Sequence, residues 1–358
     1  MNGKLLITGG AGFVGSNLAI SFREKYPKLD VIALDNLKRR GSELNIRRLK
    51  SCGVEFIHGD IRNKEDLSFP AGDISLILEC SAEPSVLAGF NNSPEYVINS
   101  NLMGAVNCLE TARHHQADFI FLSTSRVYPM EKINSLDYAE EETRFSLTEN
   151  QPYPGASGNG IAEDFPLEGA RSLYGATKLS AEFITFEYAQ MYGIRSLVNR
   201  CGVIAGPWQM GKIDQGVFAL WMAAHVFKKK LKYIGFGGEG KQVRDVLHVE
   251  DLFDLIDLQV DDLSQFGGKI YNVGGGLTNS LSLVETTKLC QEITGDKILI
   301  GKEPESRPAD IRSFITDTSR IQNDSGWKPK RSPRETLADI YKWILENEQD
   351  LRNILGQE

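Results

Sequence analysis

The chain has 358 residues, 41% apolar and 25% charged. This is ordinary globular composition, with length for one large domain and a smaller one. No run of about 18 consecutive apolar residues is present, and the strand-like run at residue 4 lacks the longer apolar stretch and cleavage site of a signal peptide, so neither a membrane span nor a leader is expected. A net charge of −8 argues against a nucleic-acid partner. The five cysteines, Cys52, Cys80, Cys108, Cys201 and Cys290, form no C-x-x-C pair and read as reduced thiols of a cytoplasmic protein, not a disulfide framework or zinc site.

In chain order, segments 4–8, 30–35, 54–60, 74–80, 119–123 and 196–202 are short, apolar at nearly every position and often β-branched. That is the pattern of strands buried on both faces. Between them, Val14, Leu18, Ala19 and Phe22 recur at helical spacing, as do Val97, Leu102, Val106, Leu109 and Ala112 within 96–114. Such alternation requires right-handed crossovers and a parallel sheet, an α/β fold. The alternation stops from 137 to 172, a polar stretch with Gly155, Gly158 and Gly160 among Ser, Asn and Pro. It reads as a functional loop or a disordered insertion. Beyond about residue 206 shorter mixed segments follow, so the boundary is expected near 205, with 206–358 a smaller, mainly C-terminal α/β domain from which segments can return to the first. The last helix is marked by Ser332 as cap, Pro333 in the first turn and Glu335 completing a capping box. An apolar stripe of Leu337, Ile340, Tyr341, Ile344 and Leu345 follows.

The first strand runs into Gly9-Gly10-Ala11-Gly12-Phe13-Val14-Gly15, a G-x-x-G-x-x-G run that opens a helix. Gly9 permits the sharp turn, Gly12 admits a pyrophosphate to the backbone, and Gly15 lets the helix sit close to the sheet. The N–H groups at the helix N-terminus favour the phosphates. Asp35 ends the second strand, where a carboxylate accepts the adenosine ribose hydroxyls and repels a 2′-phosphate, which selects NAD over NADP. Arg39 and Arg40 read as pyrophosphate or surface contacts, and Asp60, closing the third strand, as a partner for the adenine amine. This context makes 1–205 a Rossmann-type, doubly wound NAD-binding domain.

Tyr174 and Lys178 are four residues apart and share one face of an expected helix. A free tyrosine titrates near ~10. A neighbouring ammonium and the positive nicotinamide ring favour its phenolate, which brings it towards the range of an effective base. Lys178 can also hold the nicotinamide ribose. Ser123-Thr124-Ser125 ends a strand, where open α/β sheets place ligand contacts, and Thr124 is a candidate donor to the substrate hydroxyl.

The Gly-rich turn, Asp35, the 101–110 segment, the strand ending Ser-Thr with Val127-Tyr128 after it, and Tyr174/Lys178 occur in an order that resembles the extended short-chain dehydrogenase/reductases, in their nucleotide-sugar epimerase and dehydratase branch. The resemblance implies catalytic roles for Thr124, Tyr174 and Lys178, and a role for Asn101 in orienting the active-site helix. It implies cofactor contacts at Gly9, Gly12, Phe13, Val14, Gly15, Asp35, Asn36, Arg40, Asp60, Ile61, Ser81, Ala82, Asn101, Tyr174 and Lys178. Dehydratases of this branch carry an Asp-Glu pair after the catalytic Thr; here Ser125 and Arg126 stand there, which leaves elimination without its proton donor.

Segments 241–248 and 199–209, with Gln215-Gly216, resemble CDP-paratose 2-epimerases, also called CDP-tyvelose 2-epimerases. That likeness implies a CDP-linked substrate of lipopolysaccharide O-antigen biosynthesis and a homodimer or homotetramer. It implies substrate contacts at Thr124, Ser125, Gln215, Arg244 and Arg307. Val203 replaces the Asn that many members use to touch the diphosphate, and Arg244 and Arg307 are its best replacements. His248 has no partner at ligand spacing, reads as structural, and no metal is expected. The implied reaction is removal of the C2 hydroxyl proton by Tyr174, hydride transfer to NAD⁺, turning of the 2-keto sugar, and hydride return to the other face. A UDP-sugar 4-epimerase uses the same residues on another carbon. A redox-silent NAD-binding regulator need not keep Thr124, Tyr174 and Lys178 together.

Overall fold

The apolar, β-branched segments pair into one seven-stranded sheet. In chain order the strands are β1 (Lys4–Thr8), β2 (Val31–Asp35), β3 (Glu55–His58), β4 (Ile74–Glu79), β5 (Asp118–Thr124), β6 (Ser196–Cys201) and β7 (Ile270–Val273). Their spatial order is β7-β6-β5-β4-β1-β2-β3. This comes from a computed structural model that describes residues 3–212 and 215–356. β1 pairs in parallel with β2 and with β4, β2 with β3, and β4 with β5. The strand order reverses between β1 and β4, and in open α/β sheets the crevice at such a switch point, beyond the carboxyl ends of the strands, is where ligands bind. β1 leads there into Gly9, and β4 ends there on Glu79.

Helices cover the sheet because parallel strands present apolar side chains on both faces. α1 (Phe13–Lys25) follows β1, α2 (Gly104–His115) precedes β5, and α3 (Leu173–Tyr192) precedes β6. Leu6, Ile77, Leu109, Phe119, Phe121, Ala181 and Val198 belong to one buried cluster. The continuous helix expected over 96–114 is interrupted. Glu95–Ile98 is α-helical, Asn99–Met103 forms a π turn, and α2 follows. Single π turns inside helices re-aim side chains and occur often at functional sites.

Two compact units are built from alternating pieces of chain. The first runs up to Val127 and adds Ser172–Arg200 and Phe253–Ile270; the second takes Tyr128–Arg171, Cys201–Leu252 and the chain from Tyr271 onward. The sequence pattern points to a boundary near 205 with segments able to return to the first domain; 253–270 is such a segment, whereas 128–171, which precedes that boundary, belongs to the second unit. In the second unit Val243–His248 pairs with Val203–Ala205, Ser280–Ser282 and Ser313–Phe314.

The polar segment 137–172 is ordered. Tyr138–Glu140 and Phe145–Leu147 form one hairpin, and Ala156–Ser157 and Gly160–Ile161 another. Phe145, Leu147, Ile161 and Phe165 are buried, and the Phe165 ring meets Tyr128 and Tyr153 edge-on at 5.8 Å. These few apolar anchors hold a segment whose average composition is polar.

The capping box of the last helix (Pro333–Glu346) is present: Ser332 Oγ accepts from Glu335 N, and the Glu335 carboxylate accepts from Ser332 N. Its buried stripe is Thr336, Leu337, Ile340, Trp343 and Ile344, while Leu345 is 47% exposed. The buried face is turned towards the edge carrying Thr336 and Trp343 and away from the edge carrying Leu345, which the sequence pattern places inside.

Candidate active site

The turn after β1 is shaped by close backbone approaches. Gly9 has φ +62°, and a Cβ there would lie 3.0 Å from the Cys80 carbonyl. A Cβ on Gly15 would lie 2.3 Å from Gly9 O, so α1 can start this close to the turn only with glycine. Gly10, given no role by the sequence pattern, has the same constraint, since its Cβ would meet Ala33 Cα of β2 at 2.6 Å. Gly12 donates its N–H to Gly9 O at 2.9 Å. It caps α1 without a side chain, and the first turn, from Phe13 and Val14 onward, has no acidic residue. The positive end of the helix dipole is thus left for an anion, and the residues present fit a dinucleotide pyrophosphate.

Asp35 is buried at the end of β2. Its carboxylate accepts Ala11 N at 3.1 Å and Leu37 N at 2.7 Å. Burial pushes its pKa above the ordinary range, while the N–H groups of Leu37, Ala11 and Gly12 pull the other way. Asn45, absent from the sequence-derived set, donates to Ala11 O at 2.8 Å and braces the same turn. The lone pairs of Asp35 beyond those two bonds suit ribose hydroxyls.

Asp60 is engaged by its own neighbours. Arg62 Nη2 donates to it at 2.6 Å and Asn36 Nδ2 at 2.9 Å. Burial alone would raise its pKa, but these partners outweigh it and hold the carboxyl at about 2. Arg40 is exposed, and Ile61 is buried where a Cβ on Gly104 would strike it. Ser81 donates its N–H to Glu79 Oε1 at 3.0 Å, and Ala82 is exposed.

Thr124, the last residue of β5, is buried, and its hydroxyl accepts Arg126 N at 3.2 Å. Ser125 opens the next turn and is half-buried. Tyr174 and Lys178 lie in the first turns of α3, whose cap Ser172 accepts from Gly175 N at 3.3 Å. Tyr174 is half-buried and Lys178 buried. Asn101, in the π turn, donates to Glu83 O at 3.1 Å and to Thr177 Oγ1 at 3.3 Å, and its Oδ1 accepts Glu83 N at 2.7 Å.

Two buried ion pairs in this region lie beyond what spacing reveals. Lys178 Nζ is 3.3 Å from Glu79 Oε2, over the face of Phe121. Burial raises the Glu79 pKa, and Lys178 and Ser81 oppose it. Further along α3, Glu182 accepts a two-nitrogen fork from Arg200 and the Ser123 hydroxyl. The sequence signal for both was an acidic residue inside an otherwise apolar strand or helix face.

The expected substrate contacts Gln215, Arg244 and Arg307 belong to the second unit. Gln215 exchanges backbone hydrogen bonds with Lys212. Arg244 donates to the Val243 and Ile311 carbonyls at 2.8 Å each and lies 3.5 Å from Asp310. Arg307 starts the turn that closes by Asp310 N on Arg307 O, and Arg244, on the strand Val243–His248, reaches the end of that turn through Asp310 and the Ile311 carbonyl. His248 accepts Glu250 N at 3.1 Å and caps the helix Val249–Asp261. Among the described residues no group of three His, Cys, Asp or Glu is placed to hold a metal, and no helix is long and apolar enough to cross a membrane.

Residues 5–274 match the family model described as NAD dependent epimerase/dehydratase family. The CDP-paratose 2-epimerase of Salmonella typhi is 34% identical over 352 residues, covering 95% of this chain and 98% of that protein. The UDP-glucose 4-epimerase of Erwinia amylovora is 28% identical over 364 residues, 97% and 99% of the two chains. Among solved structures, the dTDP-glucose 4,6-dehydratase of Bacillus anthracis str. Ames in complex with NAD has a TM-score of 0.74 and 26% identity, covering 97% of this chain and 98% of its own. With the glycine turn at the switch point and a family match over most of its length, the chain belongs to the NAD dependent epimerase/dehydratase family and is an NAD-dependent enzyme.

Proposed function

We propose that the protein is a nucleotide-sugar 2-epimerase that interconverts CDP-paratose and CDP-tyvelose. The observation that carries this reading is the 34% identity to a CDP-paratose 2-epimerase over nearly the full length of both chains, against 28% to a UDP-glucose 4-epimerase. Tyr174 takes the proton of the sugar C2 hydroxyl, with Thr124 as hydrogen-bond partner of the same oxygen. The Lys178 ammonium favours the phenolate. Bound NAD would supply the hydride acceptor and donor for C2. The glycine turn of residues 9–15 and Asp35 hold the dinucleotide, and Gln215, Arg244 and Arg307 contribute to holding the sugar nucleotide. Ser125, following Thr124, is no acid, which supports epimerisation over water elimination. The 60% exposed Phe183 and 67% exposed Met191 on α3 are consistent with a homo-oligomer.

The test is to incubate the NAD-loaded enzyme with a panel of CDP-, UDP- and dTDP-sugars and to locate the inverted carbon by NMR. Inversion at C2 of a CDP-sugar is expected, with deuterium at C2 slowing turnover where hydride transfer limits it and remaining on C2 of the product. Inversion at C4 of a UDP-sugar gives the 4-epimerase reading instead. Loss of the label to solvent rules out a hydride shuttle.

A further inference from the structure

Lys178 is a buried amine beside a buried carboxylate. It is 2% exposed, and Glu79, 3.3 Å away, is 1% exposed. The carboxylate is itself tethered, since Glu79 Oε1 accepts Ser81 N at 3.0 Å. Among the described residues, the other groups named around the ammonium are neutral or matched. Phe121 of β5 offers a ring face 3.9 Å from Nζ. The buried Cys108 thiol on α2 is pushed up by burial and stays neutral, near Thr8 of β1. Glu182, one turn further along α3, is matched by Arg200, and Tyr174 lies one turn before.

We propose that Glu79 is a positioning residue of the Tyr174–Lys178 pair: its carboxylate holds Lys178 as a fixed ammonium and so sets the pH range in which Tyr174 acts as a base. The inference rests on the reading of Tyr174 as base. A buried amine without a counter-charge favours its neutral form, and a neutral Lys178 no longer stabilises a phenolate. A tyrosine base works when deprotonated, so its rate rises with pH up to its pKa. Losing the neighbouring positive charge moves that rise to higher pH.

The experiment compares Glu79→Gln with the unsubstituted holoenzyme in kcat/KM against pH. Glutamine keeps the size and the acceptor for Ser81 N while removing the charge. The rising limb is expected to move alkaline by about one pH unit, with about tenfold lower activity at neutral pH. Glu79→Asp, which restores a carboxylate, is expected to bring the limb back. Tyrosinate absorbance, with Tyr174→Phe as blank, reads the same shift without turnover. A limb that stays in place or moves to lower pH overturns the role of Glu79, provided Tyr174→Phe abolishes the limb. If Tyr174→Phe keeps it, the base assignment fails and takes this inference with it. Should Glu79→Gln not fold, nitrogen NMR of the lysine-labelled parent decides, with Lys178 assigned by Lys178→Met: an ammonium at neutral pH supports the proposal and a neutral amine overturns it.

Discussion

Asn101 Nδ2 lies 3.3 Å from Thr177 Oγ1, a buried bond that ties the π turn to the helix bearing Tyr174 and Lys178. The same amide donates to Glu83 O and accepts from Glu83 N, so one side chain fixes both the loop after β4 and the angle of α3. The amide needs the π turn to point this way, since a regular α-helix would carry residue 101 round by a different angle.

Asn101→Ala is therefore expected to lower stability by about 1–3 kcal/mol, because it leaves the Glu83 N–H without its acceptor and removes the link to Thr177. Denaturant unfolding measures this. Turnover is expected to fall further than NAD affinity, and a variant with parental stability and turnover contradicts the bracing role.

Gly15→Ala places a Cβ 2.3 Å from Gly9 O. Backbone cannot move aside cheaply, and overpacking of this kind costs about 1–3 kcal/mol. A lower Tm and weaker NAD binding are expected together; an alanine variant with unchanged Tm shows that the turn can relax.

Asp35→Ala is expected to weaken NAD by about 1–3 kcal/mol, the scale of hydrogen bonds to a charged group. Calorimetric titration of the NAD-free protein with NAD and with NADP checks both halves of the idea. Tighter binding of NADP to the unsubstituted protein contradicts the role given to this carboxylate.

Tyr174→Phe is expected to cut epimerisation by a factor of about 10² to 10⁴, the usual cost of losing a general base. NAD affinity is expected to stay near that of the parent, because the phenol acts on the substrate hydroxyl. Near-normal turnover would sink the mechanism.

Asp60, held at about 2 in the folded protein by Arg62 and Asn36 against the effect of burial, makes a pH-dependent contribution to stability. With a folded pKa below the unfolded value of about 3.9, the contribution is complete above the unfolded value. It is lost as pH falls through the folded one. Relative to Asp60→Asn, the parent's advantage in unfolding free energy is expected to be constant near neutrality and to shrink in acid down to about pH 2. An advantage that grows on acidification contradicts the assignment.

The sequence by itself determined what depends on neighbours along the chain. Alternating apolar strands and amphipathic helices specify a parallel α/β sheet. A glycine turn between the first strand and helix, an acidic residue at the end of β2, and a tyrosine and lysine one helical turn apart are local patterns, readable without a partner. The capping box of Ser332 and Glu335 is equally local. Tertiary structure decided what depends on residues far apart in the chain. Glu79 meets Lys178 across 99 positions and Asn101 meets Thr177 across 76, and no spacing rule links such pairs. The order of segment 137–172 was hidden for a related reason: a few buried rings outweigh a polar average, and burial is a property of the fold. Which edge of the last helix is buried, with Trp343 inside and Leu345 exposed, was settled the same way, by the neighbours that face meets. Local chemistry follows the chain, whereas the partner that tunes it is chosen only when sheet and helices close around it.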